Sequence, residues 1–124
     1  MCMNIREFFL AVILQDKNAL RSYFHADAII RWHCSNEMFT VDEYIRANCE
    51  YPGNWDGEIE RAERFGDQLI LAARIFPTDN SASYHVVSVI RLQDDRIIQM
   101  DEYWADDAPP PDWRKQMKIG RKII

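Results

Sequence analysis

Near Asp56 the spacing of apolar residues changes from a period of 3.6 to a period of 2, and this constrains the fold more than any other feature of the chain. Before that point the pattern is helical. Ile5, Phe8, Phe9, Val12 and Ile13 recur on one helical face behind Asn4, a capping residue with Glu7 three positions on as a reciprocal acceptor. A second short helical piece carries Leu20, Tyr23 and Phe24 on its apolar side. Residues 28–34 read as a strand, because Ile30, Trp32 and Cys34 alternate with Arg31 and His33. Thr40 and Glu43 form a capping box that opens a helix with Val41, Tyr44, Ile45, Asn48 and Cys49 inward, stopped by Pro52 and Gly53.

After Asp56 the alternation predicts four long strands, at about 57–65, 68–76, 83–92 and 96–104. The links are short: Gly66-Asp67, a loop over 77–82, and Gln93-Asp94-Asp95. Short links favour antiparallel neighbours, so the strands form a meander of hairpins. Pro109-Pro110-Pro111 ends the strands and leads into an extended tail. Helices gathered before an antiparallel sheet define the α+β class. Long strands twist and curl, and helices on the concave side close a cone with room for a ligand. No repeat or linker interrupts the chain, so residues 1–124 form one domain, with a basic tail from about 113 to 124.

Charge narrows the partners. The formal charge is −5, yet after Asp112 come Arg114, Lys115, Lys118, Arg121 and Lys122 with no acid, which leaves the remainder at −10. Such an acidic body argues against nucleic acid, which selects a basic face. No apolar run approaches the roughly 20 residues of a membrane helix. Met1-Cys2-Met3-Asn4 lacks the pattern of a secretion signal, and Cys2, Cys34 and Cys49 are odd in number and at no metal or redox spacing. The expectation is reduced thiols in the cytoplasm. His25, His33 and His85 lie far apart, so no metal site is expected, and no phosphate loop or nucleophile elbow occurs.

Three stretches carry a family pattern: Ile30-Arg31-Trp32-His33, the block from Asn48 to Trp55, and the run from Arg96 to Trp104 with its acidic-aromatic ending. With the element order they resemble the nuclear-transport-factor-2-like superfamily and, within it, uncharacterised members of the SnoaL-like group. The resemblance spans Ile5 to about Trp113. It implies a cone-shaped α+β barrel with a pocket at the wide end and a homodimer through the outer sheet face. It implies no single activity: isomerases, cyclases, dehydratases, epoxide hydrolases and non-enzymatic carriers share the fold.

Two residues are candidates for acid/base catalysis. Asp101, on the last strand, shares a face with Ile97, Gln99 and Tyr103 on period-2 counting; facing the cone, it would have its pKa raised by burial. The other reading of Asp101 is a surface acid, or a partner of Arg74 or Arg91, with Glu102 and Trp104 on the inner face instead. His85 suits proton transfer near neutral pH, or sits at solvent or a dimer contact. Trp32, Trp55 and Tyr103 are candidate pocket walls, or plain core. Asn48 and Tyr51 would orient a ligand, or Asn48 ties its helix to the sheet. Three functions follow: a cofactor-independent isomerase, cyclase or lyase acting on a hydrophobic or aromatic substrate, a ligand-binding module without chemistry, and a dimeric interaction protein whose basic tail docks a partner.

Overall fold

The computed structural model describes residues 3–124, so Cys2 and the start of the leader reading lie outside the described residues. The element order is α1 (Ile5–Leu14), α2 (Lys17–Arg21), β1 (Phe24–Trp32), a 3-10 turn (His33–Ser35), β2 (Glu37–Phe39), α3 (Val41–Cys49), β3 (Trp55–Phe65), β4 (Gln68–Pro77), β5 (Tyr84–Gln93), β6 (Arg96–Asp106) and α4 (Asp112–Gln116). The six strands form one curved sheet in the order β2-β1-β6-β5-β4-β3, giving an α+β fold. No helix is long and apolar enough to cross a membrane.

Local chemistry accounts for the helix ends. The Asn4 side chain accepts from the backbone N–H groups of Arg6 and Glu7 and starts α1, without a reciprocal contact from Glu7. At α3 both halves of the box close: Glu43 N–H donates to Thr40 Oγ1 at 3.3 Å, and Thr40 N–H donates to Glu43 Oε1 at 2.9 Å. Thr40→Ala removes the side-chain acceptor and is expected to cost about 1 kcal/mol, read as a shift in the urea midpoint at unchanged m-value.

The meander β3–β6 pairs antiparallel throughout, within two residues of the expected ends. Three features depart from expectation. β1 runs from Phe24 and pairs parallel with β6 across 63 intervening residues (Trp32 and Arg96 bound the gap). β2 adds a three-residue edge. The tail is not extended throughout, since Asp112–Gln116 forms a short helix.

Helices α1, α2 and α3 lie on one face of the sheet, α1 over β3 and α3 over β1. Their residues Phe8, Ala11, Leu20, Tyr44 and Ile45 pack with Ile30, Ile90, Ile97 and Met100 in one cluster, and Phe9 and Ile13 pack with Leu71, Ala73, Ile75 and Val86 in a second. Along β5 the inner face carries Val86, Ser88, Ile90 and Leu92, all buried. Facing them on β6 are Trp104, Glu102 and Met100. Ser88 and Glu102 are the buried polar residues of this otherwise apolar core.

Candidate functional site

The core does not fill the space under the helices. A cavity of about 400 Å³ opens at one end of the sheet. From the helices Val12, Ile13 and Gln15 of α1 and Asn48 of α3 face it. Trp32, Trp55, Tyr84 and Trp104 supply the sheet side, with Tyr51 from the loop after α3. Cys34, Ser35, Glu37 and Asp106 add polar groups to the lining. A void of about 10 Å³, the size of one water or one ligand oxygen, shares Val12, Ile75 and Trp104 with this cavity. It is also bordered by Ser88 and Glu102.

Sheet register builds the floor. The Cα of Glu102 pairs with Trp32 on one side and Ser88 on the other, so the three side chains stand together on the inner face. Ser88 Oγ donates to Glu102 Oε2 at 2.5 Å, and Trp32 Nε1 donates to Glu102 Oε1 at 3.0 Å. Glu102 is 6% exposed. Burial pushes its pKa above the usual carboxylate range, although the donors from Ser88, Trp32 and Trp104 pull the other way. Trp104 Nε1 approaches the same carboxyl without completing a hydrogen bond. Among the described residues it is the buried side-chain polar atom left without a partner.

The helix ends are laced to one another beside the cavity. Gln15 closes α1 in a left-handed conformation, φ 53°. Its Nε2 donates to the carbonyls of Asn48 and Tyr51, at 2.9 and 2.7 Å. Asn48 Nδ2 donates to the Val12 carbonyl at 3.1 Å, tying α3 to α1. Trp55 is steadied by Tyr51 and Tyr84, with ring centroids 5.3 and 6.1 Å away, and its Nε1 donates to the Pro52 carbonyl.

Of the residues singled out from sequence, Trp32, Asn48, Tyr51 and Trp55 come together at this cavity. Asp101, His85 and Tyr103 do not: they lie on the opposite face of the sheet. The inner-face reading of Asp101 is corrected by a register shift. Leu92 pairs with Ile97, but Arg91 pairs with Gln99, so one extra residue in β6 changes the parity. Ile97 is fully buried, yet Met100, Glu102 and Trp104 are the inward residues beyond the bulge. Asp101 is bound on the outer face by His33 at 2.7 Å, Gln99 at 2.9 Å and Arg31 at 3.4 Å. Partial burial opposes its charge, but these partners outweigh it and hold its pKa below the usual carboxylate value. Tyr103 stacks on His33 at 4.5 Å, outside the cavity.

His85 sits between Asp107 and Glu60 on that outer face. The hydrogen bond to Asp107 raises its pKa most, partial burial lowers it, and Glu60 raises it further. A raised imidazole pKa adds stability that is fully present below the unfolded value and is lost as pH rises through the folded one. Melting temperature measured across that window is therefore expected to fall with rising pH, and Asp107→Asn is expected to shrink the fall.

Gln15, Tyr84, Glu37 and Asp106 were not singled out from sequence. For Tyr84 and Asp106 the signal was available in the hairpin register, which places them opposite each other at the end of the inner column. For Gln15 and Glu37 no local pattern marks them.

No family model matches the sequence, and no curated protein matches it either. Solved structures do. A candidate ketosteroid isomerase from Kribbella flavida superposes with a TM-score of 0.80 at 18% identity, covering 97% of this chain and 87% of the other. A protein of unknown function from Burkholderia xenovorans gives 0.76 at 19% identity, covering 95% and 91%. A hypothetical protein with a ketosteroid isomerase-like fold from Catenulispora acidiphila, in complex with trimethylamine, gives 0.68 at 18%, covering 80% and 82%. The resemblance read from sequence thus holds at the level of architecture: the chain has the nuclear-transport-factor-2-like fold.

Proposed function

We propose that the cavity binds a small, largely apolar organic molecule against Trp32, Trp55 and Trp104, and that Glu102 exchanges a proton with it, as in a cofactor-independent isomerase, cyclase or lyase. The observation that carries this reading is a carboxyl buried under an aromatic-lined cavity, with its pKa raised by that burial. A raised pKa brings a carboxyl toward the range where it both gives and takes protons near neutrality. The small void beside Glu102 admits one ligand oxygen, and the unpartnered Trp104 N–H is a donor for it. The trimethylamine complex of a like-folded protein supports reading this architecture as one that takes up small organic molecules.

One observation favours binding without chemistry. Glu102 borders the small void and not the large cavity, and both its oxygens are engaged by Ser88 and Trp32. The flat probe 5-nitrobenzisoxazole separates the readings, because a desolvated carboxylate opens its ring by taking one carbon-bound proton. An acid/base centre is expected to speed this reaction with a rate that rises through the Glu102 pKa, and Glu102→Gln abolishes the gain. Saturable binding without acceleration would leave the binder.

The outer face presents Ile29, Val87 and Tyr103, each at least 40% exposed. A homodimer through this face belongs to the same proposal. Light scattering is expected to give twice the 14.7 kDa chain mass, and Val87→Lys to give monomer.

A further inference from the structure

We infer that the ligand of this cavity is a cation, an organic ammonium ion whose charged head sits among the aromatic rings with the carboxylates Glu37 and Asp106 at its side. This rests on the cavity being the binding site, as proposed above, and adds the charge of what enters.

The first argument is the sign of the lining. Glu37 and Asp106 face the cavity and Glu102 lies beneath it, while no lysine, arginine or histidine lines either space. The second is that these acids are uncompensated. Several outer-face carboxylates are matched: Asp101 with Arg31 and His33, Asp107 with His85, Glu58 with Arg74. None of Glu37, Asp106 and Glu102 is in an ion pair among the described residues. An anionic ligand would meet like charge here with no counter-ion, whereas a cation meets the two carboxylates of the lining, Glu37 and Asp106.

The third argument is the aromatic wall. Trp32, Trp55, Trp104, Tyr51 and Tyr84 are the ring types whose faces attract an ammonium group. The protein's own cations leave them free. Arg74 lies over Phe76 at 4.2 Å and Arg114 over Trp113 at 5.7 Å, rings that do not line the cavity. The acidic body, at −5 overall even with its basic tail, adds a long-range field of the same sign.

Three phenols of nearly one shape test the inference: 4-hydroxyphenyltrimethylammonium, 4-tert-butylphenol and 4-hydroxybenzenesulfonate, followed through the tryptophan indole N–H signals. The expected order is cation, neutral, anion, with the cation at least about tenfold tighter than its carbon isostere, the scale of a desolvated cation–π contact. The double variant Glu37→Gln, Asp106→Asn is expected to narrow that ratio several-fold. The neutral phenol binding at the Trp32, Trp55 and Trp104 signals as tightly as the cation would overturn the charge inference and leave the binding site standing. None of the three moving those signals would overturn both.

Discussion

Glu102→Ala is expected to destabilise the fold by about 2–4 kcal/mol, because it strands the Ser88 hydroxyl and the Trp32 indole N–H in a buried site. For a chain of this size the melting midpoint falls by roughly 10 °C. Glu102→Gln keeps an acceptor for one of these donors and is expected to cost less. The two variants also differ from the wild type in pH dependence. The folded Glu102 binds its proton more tightly than the unfolded chain does, since burial raises its pKa. Its contribution is therefore fully present below the unfolded carboxyl pKa and declines as pH rises through the folded one. Relative to wild type, Glu102→Gln should gain stability as pH rises through that window. Chemical denaturation at several pH values reads this directly, and a pH-independent difference would mean that the carboxyl is ionised in the native state throughout.

Gly57→Val should be at least as damaging, for a steric reason. A Cβ at this position of β3 would lie 2.8 Å from Phe9 Cζ, 2.9 Å from the Arg74 carbonyl oxygen and 2.9 Å from Ile13 Cδ1. The carbonyl belongs to the paired strand β4 and cannot step aside, so α1 must lift from the sheet. Gly57→Ala is expected to cost about 1–3 kcal/mol by overpacking, even after the gain of up to about 1 kcal/mol from replacing a strand glycine. Valine adds two methyl groups to the same contact. Because Val12 and Ile13 line the cavity from α1, ligand affinity should fall with stability. Equal stability of Gly57→Ala and wild type would show that α1 sits farther from β3 than these distances state.

The helices, their caps and the four-strand meander were legible in the sequence because each is set by local signals: a cap, a turn, a period. The parallel pairing of β1 with β6 was not, since strands joined by 63 intervening residues leave no turn chemistry between them. The site shows the same division. Trp32, Asn48 and Trp55 sit on elements whose inward faces the pattern defines, and Tyr51 follows α3 in the loop that Pro52 and Gly53 mark. The inward acid was misplaced by one residue, because a bulge between Ile97 and Gln99 changes the parity that period-2 counting assumes. One buried neighbour could have corrected it. Ser88 is a polar residue in the inward column of β5, and hairpin register sets it opposite Glu102 and not Asp101. A short polar side chain in such a column needs a partner, and a carboxyl across the strand supplies one.

Small molecules that enter the space between the helices and the inner sheet must touch its tryptophans. The chain has four tryptophans, which give four indole N–H signals. Trp32, Trp55 and Trp104 line the cavity, and Trp113, 62% exposed, lies on α4 away from it. The most direct measurement is a proton–nitrogen correlation spectrum recorded through a titration with 4-hydroxyphenyltrimethylammonium and 4-tert-butylphenol. Entry of ligand into the cavity gives saturable shifts at the three cavity indoles and a stationary Trp113 signal. Shifts at Trp113 alone, or at none of the four, would contradict it.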